Sequence, residues 1–423
     1  MALDLGPLRR HRDFRLLALS RGVSFLGSMI TFVAVPYQVY QLTHSSLAVG
    51  LLGVVEFVCL LLLAFVGGAL ADAVDRRKLV LATEGLLALS SLSLVGNASL
   101  DRPRLWPLFV LAGVMAALDA LQRPAMEALL PRLVDPNELG AASAIQMFEG
   151  TLGMMAGPAL AGLLIATSGL PTTFLVDVAT FGFSLLALGA MAAVPPPPHA
   201  GRPSVRSVIE GLSYACSRPE LIGTYVVDLL AMFFGMPMAL FPAIASGYGG
   251  AGVLGILYAA PSAGAFLATL TSGWTTRVHR LGRAILIAAA AWGTAIVIFG
   301  LASTLWLAVT GLVVAGAADM MSGVFRITLW NRTIPDSLRG RLASVELVSY
   351  TAGPLLGNAE AGAAASLVGV GASVVLGGGL CVLAVVLSAV GFPALRACDD
   401  RPHTRSPDAA AAASDAASDA DTP

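Results

Sequence analysis

Gly67–Lys78 reads GGALADAVDRRK, a glycine pair, two aspartates and three consecutive cations closing a long apolar run. From Leu47 to Leu70 the one charged residue is Glu56. A helix needs about 20 apolar residues to cross the hydrocarbon core of a bilayer, so the run reads as a membrane span and the charges mark its exit into water. Three cations at that exit fit the positive-inside rule for a cytoplasmic loop. Gly67 and Gly68 permit close backbone approach at the helix end. Taken alone, the stretch is equally compatible with an ordinary stop-transfer flank.

The rest of the composition agrees with a membrane environment. The chain has 423 residues, 57% hydrophobic and 12% charged, where a soluble domain carries about 25% charged residues. A net charge of −1 gives no field that draws nucleic acid toward it. Lys78 is the sole lysine and no G-x-x-x-x-G-K-[ST] loop surrounds it, so ATP hydrolysis by P-loop chemistry is excluded. Cys59, Cys216, Cys381 and Cys398 are scattered, and His44, His199, His279 and His403 lie in loops or flanks without ligand spacing. No disulfide framework, metal site or cofactor is expected. The basic start MALDLGPLRRHRDF leads into an apolar stretch longer than a signal-peptide core and without a small-residue cleavage site, which reads as a first membrane helix.

Apolar runs between charged or turn-rich breaks give twelve spans, at 14–41, 47–70, 79–98, 105–129, 139–167 and 173–193, then 221–245, 252–276, 284–302, 305–329, 340–366 and 371–395. With the amino terminus inside, the inner segments hold Arg9, Arg10, Arg12, Arg15, Arg76, Arg77, Lys78, Arg132, Arg202, Arg206 and Arg218. They also hold Arg277, Arg280, Arg283, Arg332, Arg339, Arg341, Arg396, Arg401 and Arg405, whereas the outer loops hold Arg102 and Arg104. Both termini are therefore expected in the cytoplasm.

The halves repeat. A shift of 200 residues superposes Trp106 on Trp306, Asp119 on Asp319, Arg132 on Arg332, Gly140 on Gly340, Gly153 on Gly353, Gly157 on Gly357 and Gly162 on Gly362. Such internal symmetry marks transporters built from related bundles. The expected organisation is an all-α membrane protein of 12 transmembrane helices in two pseudo-symmetric six-helix bundles, 1–194 and 221–396. A cytoplasmic linker at 195–220 opens with four prolines and continues into a short helix capped by Ser207-Val-Ile-Glu210. A polar, repetitive tail at 397–423 is expected to be disordered. In the second half the counterpart of Gly67–Lys78 is GWTTRVHRLGR, Gly273–Arg283, which keeps the cations and loses both aspartates.

In span 5, Gly150, Gly153, Gly157, Pro158, Ala161 and Gly162 set small residues at helical steps around a proline. Such spacing lets helices approach closely and kinks one of them, which by itself is also generic helix packing. The two stretches together resemble the major facilitator superfamily. Gly68, Leu70, Ala71, Asp72, Arg76 and Arg77 match its loop between helices 2 and 3, with Ala73 and Asp75 departing from the usual Arg and Gly. Gly153, Gly157, Pro158 and Gly162 match the antiporter motif of its drug and proton exchangers, with Ala161 in place of Gly. The acid before the arginine pair, and the wording of Gln122–Ala144, are similar to its siderophore-exporter and macrolide-efflux branch. The resemblance covers about residues 10 to 396.

Ionisable groups inside the bilayer cost at least about 2.5–3.5 kcal/mol each on insertion scales, so each is a functional candidate. At about 1.5 Å per residue, Glu56 and Glu149 fall near the midplane and Arg21, Asp119, Asp228 and Asp319 nearer the inner side. The fold implied by the resemblance lines its cavity with spans 1, 4, 7 and 10, which selects Arg21, Asp119, Asp228 and Asp319 as polar lining for substrate or protons. The alternative is a structural pair of Arg21 with Asp228 or Asp119, and Glu56 and Glu149 serve either the site or inter-helix hydrogen bonding. Glu84, Arg123, Glu127 and Arg326 read as flank charges, for topology or gating; Asp177, Glu346 and Glu360 read as structural. The span-4 proton-transfer motif of many family antiporters, an Arg followed by Gln-Gly, is absent, since Pro124 follows Arg123.

The resemblance implies a monomeric secondary transporter in the cytoplasmic membrane that exports a small organic molecule, siderophore or drug-like, in exchange for protons. Gly68, Asp72, Arg76, Arg77 and Glu127 then form a conformational switch at the inner face. A proton symporter for uptake and a transport-inactive sensor are the alternatives. No nucleophile and base constellation suggests an enzyme.

Overall fold

The computed structural model describes residues 4–73, 75–192, 213–214, 217–334 and 336–398, with side chains omitted at 64–73 and 336–349. The linker helix expected at Ser207–Glu210 and the tail after Ala397 lie almost wholly outside the described residues. Among those described there is no strand, and helices of membrane length follow one another throughout. They are α1 Arg12–Thr43, α2 Ser46–Ala73, α3 Arg76–Ala98 and α4 Trp106–Leu133. A run from Leu139–Gly189 follows, then α7 Pro219–Gly235 with its continuation Phe241–Tyr248, α8 Ala251–Leu270 and α9 Leu281–Gly300. α10 Leu305–Thr333, α11 Asp336–Val368 and α12 Val370–Gly391 complete the set.

The 51 residues of Leu139–Gly189 are two spans, not one. Gly169 holds φ 77° and turns the chain just before Pro171, giving α5 over 139–168 and α6 over 170–189. Positive φ at this position favours glycine. The same device recurs 200 residues later, where Gly369 at φ 89° separates α11 from α12. The repeat thus extends to the corner between the last two helices of each half.

Two of the expected spans end differently. α7 breaks at Met236–Pro237, because proline removes a donor and clashes with the preceding turn, and a 3-10 turn at Met238–Leu240 precedes its continuation. The Asn358 side chain on α11 accepts the Ala239 N–H at 3.0 Å, so the break leaves no orphan there. α8 stops at Leu270 and Gly273–Arg277 lies in a 3-10 turn, so the second-half counterpart of the charged stretch is not a helix end.

The halves meet along α2 with α11 and α5 with α8. At the end away from the termini these crossings run backbone to backbone. A Cβ added at Gly162 would stand 2.8 Å from the Ala251 carbonyl oxygen, and one at Gly255 would stand 2.6 Å from the Pro158 carbonyl oxygen. Gly362, the repeat partner of Gly162, would meet the Ser46 carbonyl oxygen at 2.6 Å. Small residues at these positions are what allows the distal end to close. Gly153 and Gly157 instead pack inside the first half, against Phe25 and Met29 of α1, and Gly353 packs likewise on Met232 of α7. One helical motif therefore serves two contacts, one within a bundle and one between bundles.

Candidate functional site

At the terminal end, Asp75 caps α3, accepting the N–H groups of Arg77 at 2.9 Å and Lys78 at 3.3 Å. Orphan N–H groups of a first turn need such an acceptor. The residue that departs from the family pattern thus has a local structural role. Arg77 reaches the last carbonyls of α6, donating to Leu188 at 2.9 Å and Gly189 at 2.6 Å. Arg76 is buried and donates to the Ala128 carbonyl on α4 at 3.2 Å. The arginine pair therefore ties α3 to the C-terminal ends of two neighbours, where cations complement the helix dipole.

Glu127 is bonded to Arg123 at 3.2 Å, one turn apart on α4. Arg123 also donates to the Tyr350 hydroxyl at 2.7 Å and lies over that ring, a direct bridge between the halves. The side chains of Asp72, Arg339 and Arg341, and the surroundings of Gly68, fall outside the described residues. Below α5, Glu138 holds Arg10 at 2.5 Å and His11 at 2.7 Å, and Asp135 brings a third potential ligand atom near them. Nothing in the sequence near His11 announces partners over 120 residues away; the guanidinium on the same carboxylate makes this a tie for the amino-terminal segment.

Between the halves lies a cavity of about 180 Å³. Glu56 of α2 and Asp119 of α4 both line it, and Asp119 is exposed to it. Their proximity follows from packing: a Cβ at Gly113 would be 2.9 Å from the Cys59 sulfur and 3.0 Å from Val55, so α2 and α4 run in close contact. Phe32 of α1 and Tyr258 of α8 form an edge-to-face pair at 5.7 Å on the same cavity. The Tyr258 hydroxyl donates to the Met238 carbonyl at 3.2 Å.

Arg21, Asp228 and Asp319, expected as lining, are not among the cavity residues. Asp228 forms an ion pair with Arg326, both nearly buried, joining α7 to α10. Arg326 is therefore an interior residue rather than a flank charge, and Asp228 does not pair with Arg21. Asp319, half-buried on α10, is within electrostatic range of that pair. Arg21 neighbours Glu149 across α1 and α5, where a Cβ at Gly22 would lie 3.6 Å from the Glu149 Cγ. Arg21 Nη1 and Glu149 Oε2 are buried without a hydrogen-bond partner.

Glu84 is also interior rather than flanking. It is fully buried and accepts from Gln122 at 2.8 Å and Ser24 at 3.2 Å. Asp177 of α6, likewise fully buried, accepts from Thr31 and Ser91, each at 2.6 Å, and so links α1, α3 and α6. These hydroxyls carried no motif that sequence reading detects. Thr31→Val is expected to lower stability by about 1–3 kcal/mol, the cost of a buried acceptor losing a donor, measured as a lower thermal midpoint of the purified protein in detergent.

The chain matches the family model described as transmembrane secretion effector over residues 2–417. It is 30% identical to the enterobactin exporter EntS of Citrobacter koseri over 387 residues, 91% of this chain and 93% of that protein. The same identity and coverage hold for EntS of Escherichia coli. In architecture it resembles the nucleoside transporter NupG, TM-score 0.74 at 13% identity over 90% of this chain and 99% of that one. It also resembles a bacterial homologue of the lysosomal transporter Spinster, TM-score 0.70 at 14% identity over 93% and 97%. A family match across nearly the whole length, with twelve helices in two repeated bundles around a central cavity, makes this chain a multi-pass membrane transporter of the transmembrane secretion effector family within the major facilitator superfamily.

Proposed function

We propose that the protein exports a small organic molecule, siderophore or drug-like, across the cytoplasmic membrane by alternating access, in exchange for protons and as a monomer. The observation that carries this reading is a cavity holding two carboxyl groups between halves that are sealed at one end by glycine crossings. The arginine distribution puts the termini in the cytoplasm, which makes the sealed end the outer one and the described state one closed toward the outside. Rigid rocking of the halves about a central site then exposes the cavity to the other face. The names of the EntS relatives, enterobactin exporters, favour export.

Inner closure uses the charged stretch with which α2 ends. Asp72 receives the amino end of α11, a helix-dipole contact worth about 0.3–1 kcal/mol. Asp72→Asn is accordingly expected to lower transport about 2- to 5-fold with normal insertion and abundance; unchanged transport removes Asp72 from the switch. Direction is tested in inverted vesicles with an acidic lumen, where export predicts accumulation inside. Depletion from the lumen under the same gradient replaces export by uptake.

A further inference from the structure

The cavity holds two acidic side chains with no basic residue beside them in its wall. Glu56 and Asp119 face it, and none of its lining residues among those described is Arg, Lys or His. Of the basic side chains nearby, Arg326 pairs with Asp228 and Arg21 sits beside Glu149, while Arg123, held by Glu127 and Tyr350, acts on Asp119 from outside the cavity wall. The remaining charged groups near the pair are Glu84 and Asp177, both acids, and Asp119 acts electrostatically on Glu56. Carboxylates at that depth in a bilayer are costly unless something neutralises them.

The rest of the wall is apolar and polarisable. Phe32 and Tyr258 form the edge-to-face corner, and Met29, Met115 and Met238 supply flexible thioethers. Aromatic faces attract cations, and methionine walls adapt to varied apolar shapes. An anionic cargo would meet two acidic groups and no basic residue in the wall.

We propose that the cargo is an organic cation with an apolar body, its charge taken by Glu56 and Asp119 and its body laid against Phe32, Tyr258 and the methionines. The inference rests on the transport reading of this cavity, and not on its direction.

Benzyltrimethylammonium and the anion 3-phenylpropionate, of comparable size, are titrated calorimetrically into the full-length protein in nanodiscs. Saturable binding of the cation and none of the anion is expected. Glu56→Gln and Asp119→Asn should each weaken cation binding by about tenfold or more. Asp119→Glu, which keeps the charge, should bind the cation more tightly than Asp119→Asn, and Asp101→Asn, on an exposed loop, should bind as the parent does. Size-exclusion profiles establish that each variant is folded, and cavity binding of the cation by folded Glu56→Gln and Asp119→Asn at parental affinity overturns the proposal. Absence of cation binding by the parent, or tighter binding of the anion, overturns it too. Because binding is read without a gradient, failure of export in inverted vesicles alongside cation binding sinks the export reading and leaves the cation site standing.

Discussion

Asp119→Asn is expected to reduce proton-driven counterflow in reconstituted vesicles to the level of vesicles without protein, with insertion unchanged. Its carboxyl group is exposed to the cavity and belongs to no ion pair among the described residues, so it is free to exchange a proton with whatever fills the space. An amide of the same shape keeps the volume while removing the exchangeable proton. Asp228 is a poor substitute in this experiment. Its partner Arg326 is almost buried, and removing one member of a buried pair costs about 3–5 kcal/mol, so Asp228→Asn is expected to fail through folding. The two outcomes separate on abundance: normal for Asp119→Asn, low for Asp228→Asn. Gradient-driven flow that survives in the Asp119 variant places coupling on another group, with Glu56 the neighbour to replace next.

The helices were legible because a bilayer demands long apolar runs, and the repeat was legible because rare residues recur at one spacing. Gly162 and Gly362 show how far that reaches. Their position in sequence announced close helix packing, yet only the fold shows that each crosses to the other half while Gly153 and Gly353 stay within their own. Depth along a helix also came from sequence; rotation about it did not. Asp119 and Asp319 are repeat partners at matching depth, but the first lines the cavity and the second sits by the Asp228–Arg326 pair. Nothing local distinguishes them, since the difference comes from Arg326, for which the first half has Met126. Glu84 was misplaced for a similar reason: six residues past Lys78 it reads as a helix flank, while its partners Ser24 and Gln122 lie on helices brought in by tertiary packing.

Gly162→Leu should open the distal end. A leucine there has to enter the space held by the Ala251 carbonyl and Gly255 backbone, and neither is a side chain that can turn aside. Overpacking of this kind costs about 1–3 kcal/mol, applied only to the state in which α5 and α8 touch. A bias of that size on a two-state equilibrium is about 5- to 150-fold. The protein should therefore populate the arrangement in which α5 and α8 have separated, and transport should fall because the cycle cannot return. Ser28→Cys, placed in the cavity wall of a variant whose four native cysteines are replaced, reports this directly. An impermeant maleimide added outside intact cells should label it faster when Gly162→Leu is present. Gly150→Leu, on the same helix with nothing within 4 Å of its added Cβ, should leave labelling at the parental rate. Equal labelling in all three backgrounds, with transport intact, means that the glycine crossing is packing alone and that the cavity is gated somewhere else.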